Sequence, residues 1–249
     1  MKPLEARSLA SSLWSDTSAS ASPQVESGVM RHVQAPQGMS LFAPLHHEAN
    51  YRYPLVVWLH GPQDDESQLK RIMPLLSLRN YVGVAPRGAV SAMNDDRPAY
   101  TWGQAEEDLS QAEDAVERAI HWAGQRFRLH PRRTFIAGFD VGGTMAFRVA
   151  LRRPDRFAGV LTLGGPFPTQ GRPLATFTTA RRLPVFIACC RESQHYPTET
   201  VCDNLRLLHS VGMPITLRQY PGDQQLSPQI LADMNHWIMD EISQQTAAE

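Results

Sequence analysis

A carboxylate stands at the turn between a predicted strand and a predicted helix. The stretch Phe135–Gly143 is F-I-A-G-F-D-V-G-G, with Asp140 between Gly138 and Gly142. A buried strand, a sharp turn and a helix carry the nucleophilic serine of the G-x-S-x-G motif in many enzymes. Aspartate takes the serine position here. Its carboxylate can attack carbon as a nucleophile, or it can cap the helix that follows.

The elements around this turn alternate between strands and helices. Continuous apolar runs predict buried strands, and apolar residues every three to four positions predict helices. The predicted strands are Tyr53–Leu59, Tyr81–Ala85, Thr134–Ala137, Phe157–Leu163, Val185–Cys189 and Pro214–Tyr220. The predicted helices are Asp64–Asn80, Glu106–Arg128, Val141–Arg152, Thr198–Val211 and Ser227–Ser243. This alternation predicts an α/β fold with a mostly parallel central sheet and helices on both faces.

One domain is expected over residues 29–249, after a disordered tail over residues 1–28 that is rich in Ser and Ala. A short docking helix around Leu4–Trp14 is the alternative for the tail. Gly28–Ala35 and Met39–Pro44 are expected to form a hairpin at a sheet edge. Asp95–Trp102 is expected to be a loop.

Composition excludes several classes of function. The 249 residues are 42% hydrophobic with a net charge of −1, which gives no electrostatic reason to expect a nucleic-acid partner. No apolar run is long enough to span a bilayer, and the tail lacks the apolar stretch of a secretory signal, so a cytoplasmic protein is expected. No metal-ligand spacing or phosphate-binding loop occurs, so neither a metal nor a cofactor is expected. A small-molecule ligand and the oligomeric state are left open.

Five segments together resemble the α/β-hydrolase fold and, within it, the phospholipase/carboxylesterase family of small serine esterases. They are P-L-V-V-W-L-H-G at 54–61, V-A-P-R-G at 84–88, L-H-P-R-R-T-F-I-A-G-F-D-V-G-G-T-M-A at 129–146, R-R-P-D-R-F-A-G-V-L-T-L-G-G at 152–165 and L-R-Q-Y-P-G-D-Q-Q-L at 217–226. Their order and spacing cover roughly residues 40–245. The resemblance implies the α/β-hydrolase fold and a catalytic triad, whose three positions can be located in this sequence.

All three triad positions implied by the resemblance carry other residues. The nucleophile position is Asp140. The family's base lies in a Y-P-G-x-H-type stretch, where this chain has Gln224. The family's acid falls on Ser193 when Cys189–Pro197 is aligned without gaps on its final proline. An amide has no useful basicity near neutral pH, so Gln224 cannot replace a histidine base.

The oxyanion hole implied by the resemblance is also incomplete. One donor is the backbone N–H of Val141, which does not depend on the side chain. The other position is Pro62, which has no N–H. His60, Gly61, Trp102 and His195 are the other residues expected at the cleft, and His195 is a candidate for a relocated base.

Four substituted positions favour a pseudoenzyme, a catalytically lapsed esterase homologue that keeps a cleft for a small ligand or a partner. The alternative is an active hydrolase with a non-standard site, using Asp140 at the elbow in the way that epoxide hydrolases and haloalkane dehalogenases attack saturated carbon. A purely structural role is a third hypothesis.

Overall fold

A computed structural model describes residues 36–94, 97–168 and 177–247. The strands are β1 Met39–Phe42, β2 Tyr53–Leu59, β3 Val82–Pro86, β4 Ala89–Asn94, β5 Arg97–Thr101, β6 Leu129–Phe139, β7 Gly159–Leu163, β8 Val185–Cys190 and β9 Ile215–Tyr220. The helices are α1 Gln68–Leu76, α2 Glu106–Gly124, α3 Val141–Arg152, α4 Phe177–Ala180, α5 Thr198–Ser210 and α6 Pro228–Ala247, with a 3₁₀ turn at Pro154–Arg156. No helix within these ranges is long and apolar enough to cross a membrane.

Seven strands form one twisted sheet in the order β1-β3-β2-β6-β7-β8-β9. All neighbours run parallel except β1, which pairs antiparallel with β3 at the edge. One hydrophobic cluster packs α2, α3 and α5 on one face of the sheet, and a second packs α1 and α6 on the other. The predicted α/β-hydrolase fold is confirmed. The carboxyl ends of the parallel strands therefore meet at one edge, where open α/β sheets hold their ligands.

The structure corrects two predictions, the first of them near this edge. The stretch Asp95–Trp102 was expected to be a loop, but β4 and β5 pair antiparallel as a separate two-stranded sheet. Pro98 lies inside β5 and lowers its strand signal, although a two-stranded sheet has only edge strands and tolerates proline. The helix predicted over Glu106–Arg128 ends at Gly124, because glycine disfavours helix and the N–H groups of the next residues bond back to Ala123 in a turn.

Other helices and strands begin or end a few residues away from their predicted bounds. Helix α1 begins at Gln68 rather than Asp64, since the Asp65 carboxylate accepts the Ser67 N–H and holds residues 64–67 in a turn. Helix α6 continues to Ala247, four residues beyond its predicted end. The strand predicted over Met39–Pro44 is present as β1 at the sheet edge and pairs with β3. The predicted tail and the Gly28–Ala35 strand lie outside the described residues.

Candidate active site

Asp140 occupies a strained turn between β6 and α3. Its backbone has φ 53° and ψ −121°, a conformation that non-glycine residues rarely adopt. The Asp140 N–H donates to the Leu163 carbonyl at 2.8 Å, and its carbonyl accepts the Thr144 N–H at 3.0 Å. A Cβ atom on Gly138 or Gly142 would overlap neighbouring backbone carbonyls, so both positions require glycine. The backbone frame of a nucleophile elbow is therefore complete.

The three substituted triad positions lie in one hydrogen-bonded chain. The Ser193 hydroxyl accepts the Tyr196 N–H at 3.0 Å and donates to Gln224 Oε1 at 2.6 Å. Because that hydroxyl fixes the amide oxygen, the Gln224 Nε2 group points the other way and donates to Asp140 Oδ2 at 2.7 Å. The structure thus brings together the residues that the sequence placed at nucleophile, base and acid.

Gln224 is held from its other side by the backbone. Gly164, with φ +67°, lies so close that a Cβ atom there would overlap the Gln224 side chain. The amide is therefore clamped between Gly164, Ser193 and Asp140. Its position depends on a close approach that only glycine permits.

Burial raises the pKa of the Asp140 carboxyl above its ordinary value. The charge of His195, the Val141 N–H and the Gln224 amide act in the opposite direction and favour the carboxylate. The predicted capping role is present only in part: no side-chain capping hydrogen bond forms at Asp140, but its carboxylate accepts the N–H of Val141, the first residue of α3. The carboxylate also accepts the Gln224 amide.

The expected second oxyanion donor is absent from the loop after β2. Pro62 is exposed and has no N–H. The N–H groups on either side are already used: Gly61 donates to Gln68 Oε1 at 3.2 Å, and Gln63 donates to the Tyr100 carbonyl at 3.0 Å. The other expected donor, the Val141 N–H, acts on the Asp140 carboxylate. Both expected oxyanion donors are therefore absent or engaged in this arrangement.

Comparison with known proteins settles the family. Residues 32–216 match the sequence model of the Esterase family, described as "Putative esterase". The chain belongs to this esterase family. The match includes Asp140 and Ser193 and ends before Gln224, whose place in the site rests on its contacts with both.

Individual relatives support the same fold. An epoxide hydrolase from Caballeronia sordidicola is 30% identical over 150 residues, which are 59% of this chain and 40% of that protein. The chain therefore spans well under half of the length of this curated relative. Arabidopsis thaliana SOBER1 superposes with a TM-score of 0.65 at 20% identity, covering 76% of this chain and 99% of that one. A Bacillus cereus carboxylesterase gives 0.65 at 16% identity, covering 82% and 93%.

His60 is a buried residue that joins neighbouring loops through hydrogen bonds. It is fully buried, its Nδ1 lies 2.8 Å from the Gly61 carbonyl, and its Nε2 accepts the Gly88 N–H at 2.9 Å. The buried Trp102 indole donates to the His60 carbonyl at 3.0 Å. Burial lowers the pKa of His60, while the Gly61 carbonyl and nearby carboxylates oppose that shift. A neutral imidazole with both nitrogens engaged joins three loops at the site.

His195 differs from His60 in every one of these respects. Its side chain is exposed, on the loop that also carries Ser193. Its side chain nevertheless acts electrostatically on the Asp140 carboxyl and partly opposes the rise in pKa that burial causes there. Of the expected cleft residues, His195 is thus the exposed histidine that acts electrostatically on Asp140.

Sequence reasoning missed Gln68, which holds the loop that follows β2. Its side-chain oxygen accepts the Trp58 indole N–H at 2.7 Å as well as the Gly61 N–H. The signal was available, because Gln68 lies four residues before Ile72 on the apolar face of α1 and is therefore expected to be buried. A buried amide needs partners, and here they come from the strand and loop that precede Pro62.

A separate cavity of about 240 Å³ lies between the β4–β5 hairpin and α2. Its walls include Gly88, Trp102, Asp108 and Arg118, and none of the three triad positions lines it. Ligand sites usually have volumes of roughly 300–1,000 Å³, so this cavity is smaller than most. This cavity does not extend the candidate active site.

The cysteines lie apart from any metal or redox site in the described ranges. Cys189 and Cys190 are buried in the hydrophobic clusters on opposite faces of the sheet. Burial raises the pKa of the Cys189 thiol to about 11. No group of three or more His, Cys, Asp and Glu residues could hold a metal ion within the part of the chain that the structure describes.

Proposed function

We propose that this chain is a catalytically lapsed member of the esterase family, whose cleft binds a small ligand. One observation carries the proposal: the Gln224 amide bridges Asp140 and Ser193 at the place of the catalytic histidine. An active triad needs an imidazole there that accepts a proton from the nucleophile and returns it to the leaving group. The amide can hold the two side chains in place, but it cannot carry a proton between them.

The direction of the hydrogen bonds supports the same proposal. In a working triad the nucleophile donates its proton to the base. Here the elbow side chain is the acceptor, and the hydroxyl at the acid position is the donor. The polarity of the chain is therefore the reverse of that in a working triad, and it ends with a bond donated to the Asp140 carboxylate.

The ligand proposal follows from that carboxylate. Asp140 is half-buried, and the described basic group acting on its charge is the exposed His195. A cationic or hydroxyl-rich ligand would be favoured over an anion by a fixed negative charge. Titration of small ammonium compounds and polyols against wild type and Asp140→Asn tests this, and equal affinities for the two proteins would contradict it.

Hydrolysis of p-nitrophenyl acetate by purified protein tests the loss of esterase activity. We expect no turnover above buffer for wild type or Asp140→Asn. The triple variant Asp140→Ser, Ser193→Asp, Gln224→His is the matched positive control, because it puts a complete triad on the retained elbow. Turnover by wild type that disappears in Asp140→Asn would sink the proposal.

A second candidate is an active hydrolase that uses Asp140 as nucleophile and His195 as base. The proximity of the His195 charge to the Asp140 carboxylate favours it, and a curated relative bears the name epoxide hydrolase. Repeated release of diol from styrene oxide, lost in both Asp140→Asn and His195→Ala, would support this candidate. Retention of diol release in either variant would exclude it.

The cytoplasmic location and binding of a protein partner stay predictions from the sequence.

A further inference from the structure

We propose that the edge of the sheet opposite the candidate active site docks onto a membrane surface that carries anionic phospholipids. This surface, the arginine edge, combines three exposed arginines with four exposed apolar side chains. They are Arg52, Arg79 and Arg128 with Tyr51, Leu75, Leu78 and Met239. The inference is independent of the proposed function, because no triad position belongs to this surface.

The three arginines precede neighbouring strands of the parallel sheet. Strands β3, β2 and β6 are adjacent, and neighbouring strands lie about 5 Å apart. Arg52 directly precedes β2, and Arg128 directly precedes β6. The residues that follow them, Tyr53 and Leu129, pair in register, and the Tyr53 N–H donates to the Arg128 carbonyl at 2.8 Å. Arg79 lies three residues before β3, so the three arginines form a row at the amino ends of the strands.

No carboxylate neutralises this row within the described residues. The guanidinium groups of the three arginines make no hydrogen bond or ion pair with any residue that the structure describes. Arginines elsewhere do pair, Arg87 with Glu66 and Arg156 with Glu117. Like charges in one row repel one another, and a partner that carries phosphate groups would relieve that repulsion.

Exposed apolar side chains lie beside the row. Within the described ranges six large apolar residues are exposed, and four of them, 38% to 49% exposed, lie at this edge. Leu75 is in the last turn of α1, and Leu78 follows that helix. Met239 on α6 lies near them, because its sulfur is 3.8 Å from the Asn80 amide nitrogen. Single apolar residues are ordinary on a surface, but a cluster of them marks an interaction site.

One loop joins the apolar side chains to the arginines. It runs from Leu45, whose N–H donates to the Leu78 carbonyl at 2.7 Å, to Tyr53 at the start of β2. Tyr51 and Arg52 are its last residues before the strand, and the Tyr51 ring packs edge-on against Tyr53 with centroids 4.7 Å apart. The basic and apolar side chains of the arginine edge are therefore neighbours.

Carboxylates at the same edge are fewer than the cations. Glu48 lies in the loop before β2, and Asp240 and Glu241 lie on α6. Arg132 and Arg133, in the irregular first part of β6, add two cations to the three of the row. Positive charge therefore exceeds negative charge here, although the whole chain has a net charge of −1.

The combination of side chains favours a lipid surface over a nucleic acid. Arginine binds phosphate through parallel N–H bonds, and both partners offer phosphates. Leucine and methionine side chains gain from burial at the boundary between headgroups and acyl chains, whereas single-stranded nucleic acids are bound through rings that stack on bases. Three of the four apolar side chains have no ring. Docking through the amino ends of the strands would leave the candidate active site, at their carboxyl ends, facing water.

Co-sedimentation of the full chain with lipid vesicles tests the inference. Vesicles of equal parts phosphatidylcholine and phosphatidylserine should pellet the protein at low salt, and vesicles of phosphatidylcholine alone should not. Added salt should release the protein, because it screens the attraction. The triple variant Arg52→Gln, Arg79→Gln, Arg128→Gln should bind roughly a hundredfold more weakly, since each arginine near an anionic surface contributes about a fivefold gain.

The matched control also removes three exposed arginines, but away from this edge. It is the triple variant Arg118→Gln, Arg206→Gln, Arg218→Gln, which should bind like wild type. Glu48→Gln removes a repelling carboxylate and should bind about fivefold more tightly than wild type. Circular dichroism of each variant verifies folding.

Two results would overturn the inference. One is absence of wild-type binding to the anionic vesicles, and the other is equal binding by the arginine variant and its control. Leu75→Ser and Leu78→Ser distinguish the partners, because both should weaken binding to vesicles. Tighter binding of a single-stranded oligodeoxynucleotide than of vesicles, unchanged in these two variants, would overturn the choice of a membrane. None of these results depends on esterase turnover, so the proposed function is tested separately.

Discussion

The elbow backbone has the geometry of a serine esterase, whereas the side chains at the expected triad positions are not those of a serine esterase. In β6, the turn and α3, the backbone segments lie in close contact. Gly138 and Gly142 both pack against carbonyl groups of neighbouring segments. The side chains at the expected nucleophile, base and acid positions are Asp140, Gln224 and Ser193, which contact one another in one hydrogen-bonded chain. Backbone packing constrains the first region, whereas hydrogen bonds, together with the close approach of Gly164 to Gln224, constrain the second.

The backbone geometry of an elbow can thus be kept while the side chains at the triad positions change. A glycine in the elbow is required for folding whether or not the enzyme turns over. Side chains of the triad can be exchanged as a set, provided that each buried donor still finds an acceptor. Mutations in the two regions should therefore differ in the size and kind of their effects.

Gly142→Ala should produce the largest effect, because the new Cβ would overlap the carbonyls of Leu59 and His60 and neither backbone segment can move. We expect a loss of about 3 kcal/mol in the free energy of unfolding, measured with urea. Gly124→Ala is the matched control, since a Cβ there meets only Leu129 Cδ1 at 3.8 Å. It should be neutral or stabilising by up to about 1 kcal/mol. Equal losses in both variants would refute the packing argument.

Gln224→Glu should produce the next largest effect, because it replaces the donor to Asp140 with a second carboxylate. Repulsion raises the pKa of the pair in the folded state, so the folded protein binds more protons than the unfolded chain and stability rises as pH falls. We expect a loss of about 2 kcal/mol at pH 8 that shrinks toward pH 5. Urea midpoints across this range measure it. Gln225→Glu, on an exposed neighbour, should show little loss at either pH.

His60 should make the loops around the site sensitive to acid. Burial lowers its pKa in the folded protein, so the folded state binds fewer protons than the unfolded chain. The stabilisation that neutral His60 provides is fully present above the ordinary histidine pKa of about 6.5. It is lost as the pH falls toward the lowered pKa of His60 in the folded protein. The slope should reach up to about 1.4 kcal/mol per pH unit.

Denaturation of His60→Gln between pH 7.5 and 5 tests this expectation, because glutamine can still accept the Gly88 N–H but cannot become charged. The variant should be less stable than wild type at pH 7.5 and show a flatter profile. The exposed His209→Gln serves as control and should keep the wild-type slope. An unchanged slope in His60→Gln would assign the acid sensitivity to other groups.

Asp140→Asn should change the stability of the protein least. The informative result is whether it stabilises or destabilises the folded state. Burial raises the pKa of Asp140, so the charged carboxylate costs folded stability at neutral pH. Asparagine tolerates the positive φ and still accepts the Gln224 N–H. We expect a gain of less than about 1 kcal/mol at pH 7 that disappears near pH 4, read from melting temperatures. A loss at pH 7 would show that the charge itself stabilises the elbow.

Much of the fold was predictable from local patterns. The buried strands around the elbow are continuous apolar runs, and α2 and α3 have clear helical periodicity, so their order specified the parallel sheet. The β4–β5 hairpin was not predictable in this way. Its strands are short, one contains Pro98, and the pairing depends on how the loop lies across the end of the sheet.

Asp140 within a glycine frame, and a Pro62 that cannot donate an N–H, were readable from the sequence, because those properties belong to the residues. The resemblance to the esterase family implied the base and acid positions for Gln224 and Ser193. The fold alone shows that Gln224 links Ser193 to Asp140 in one chain, with the amide oxygen toward Ser193 and the amide nitrogen toward the carboxylate. Those contacts join residues 84 and 31 positions apart. Local propensity cannot fix the direction of a hydrogen bond between distant loops, since that depends on which donor and acceptor the fold brings together.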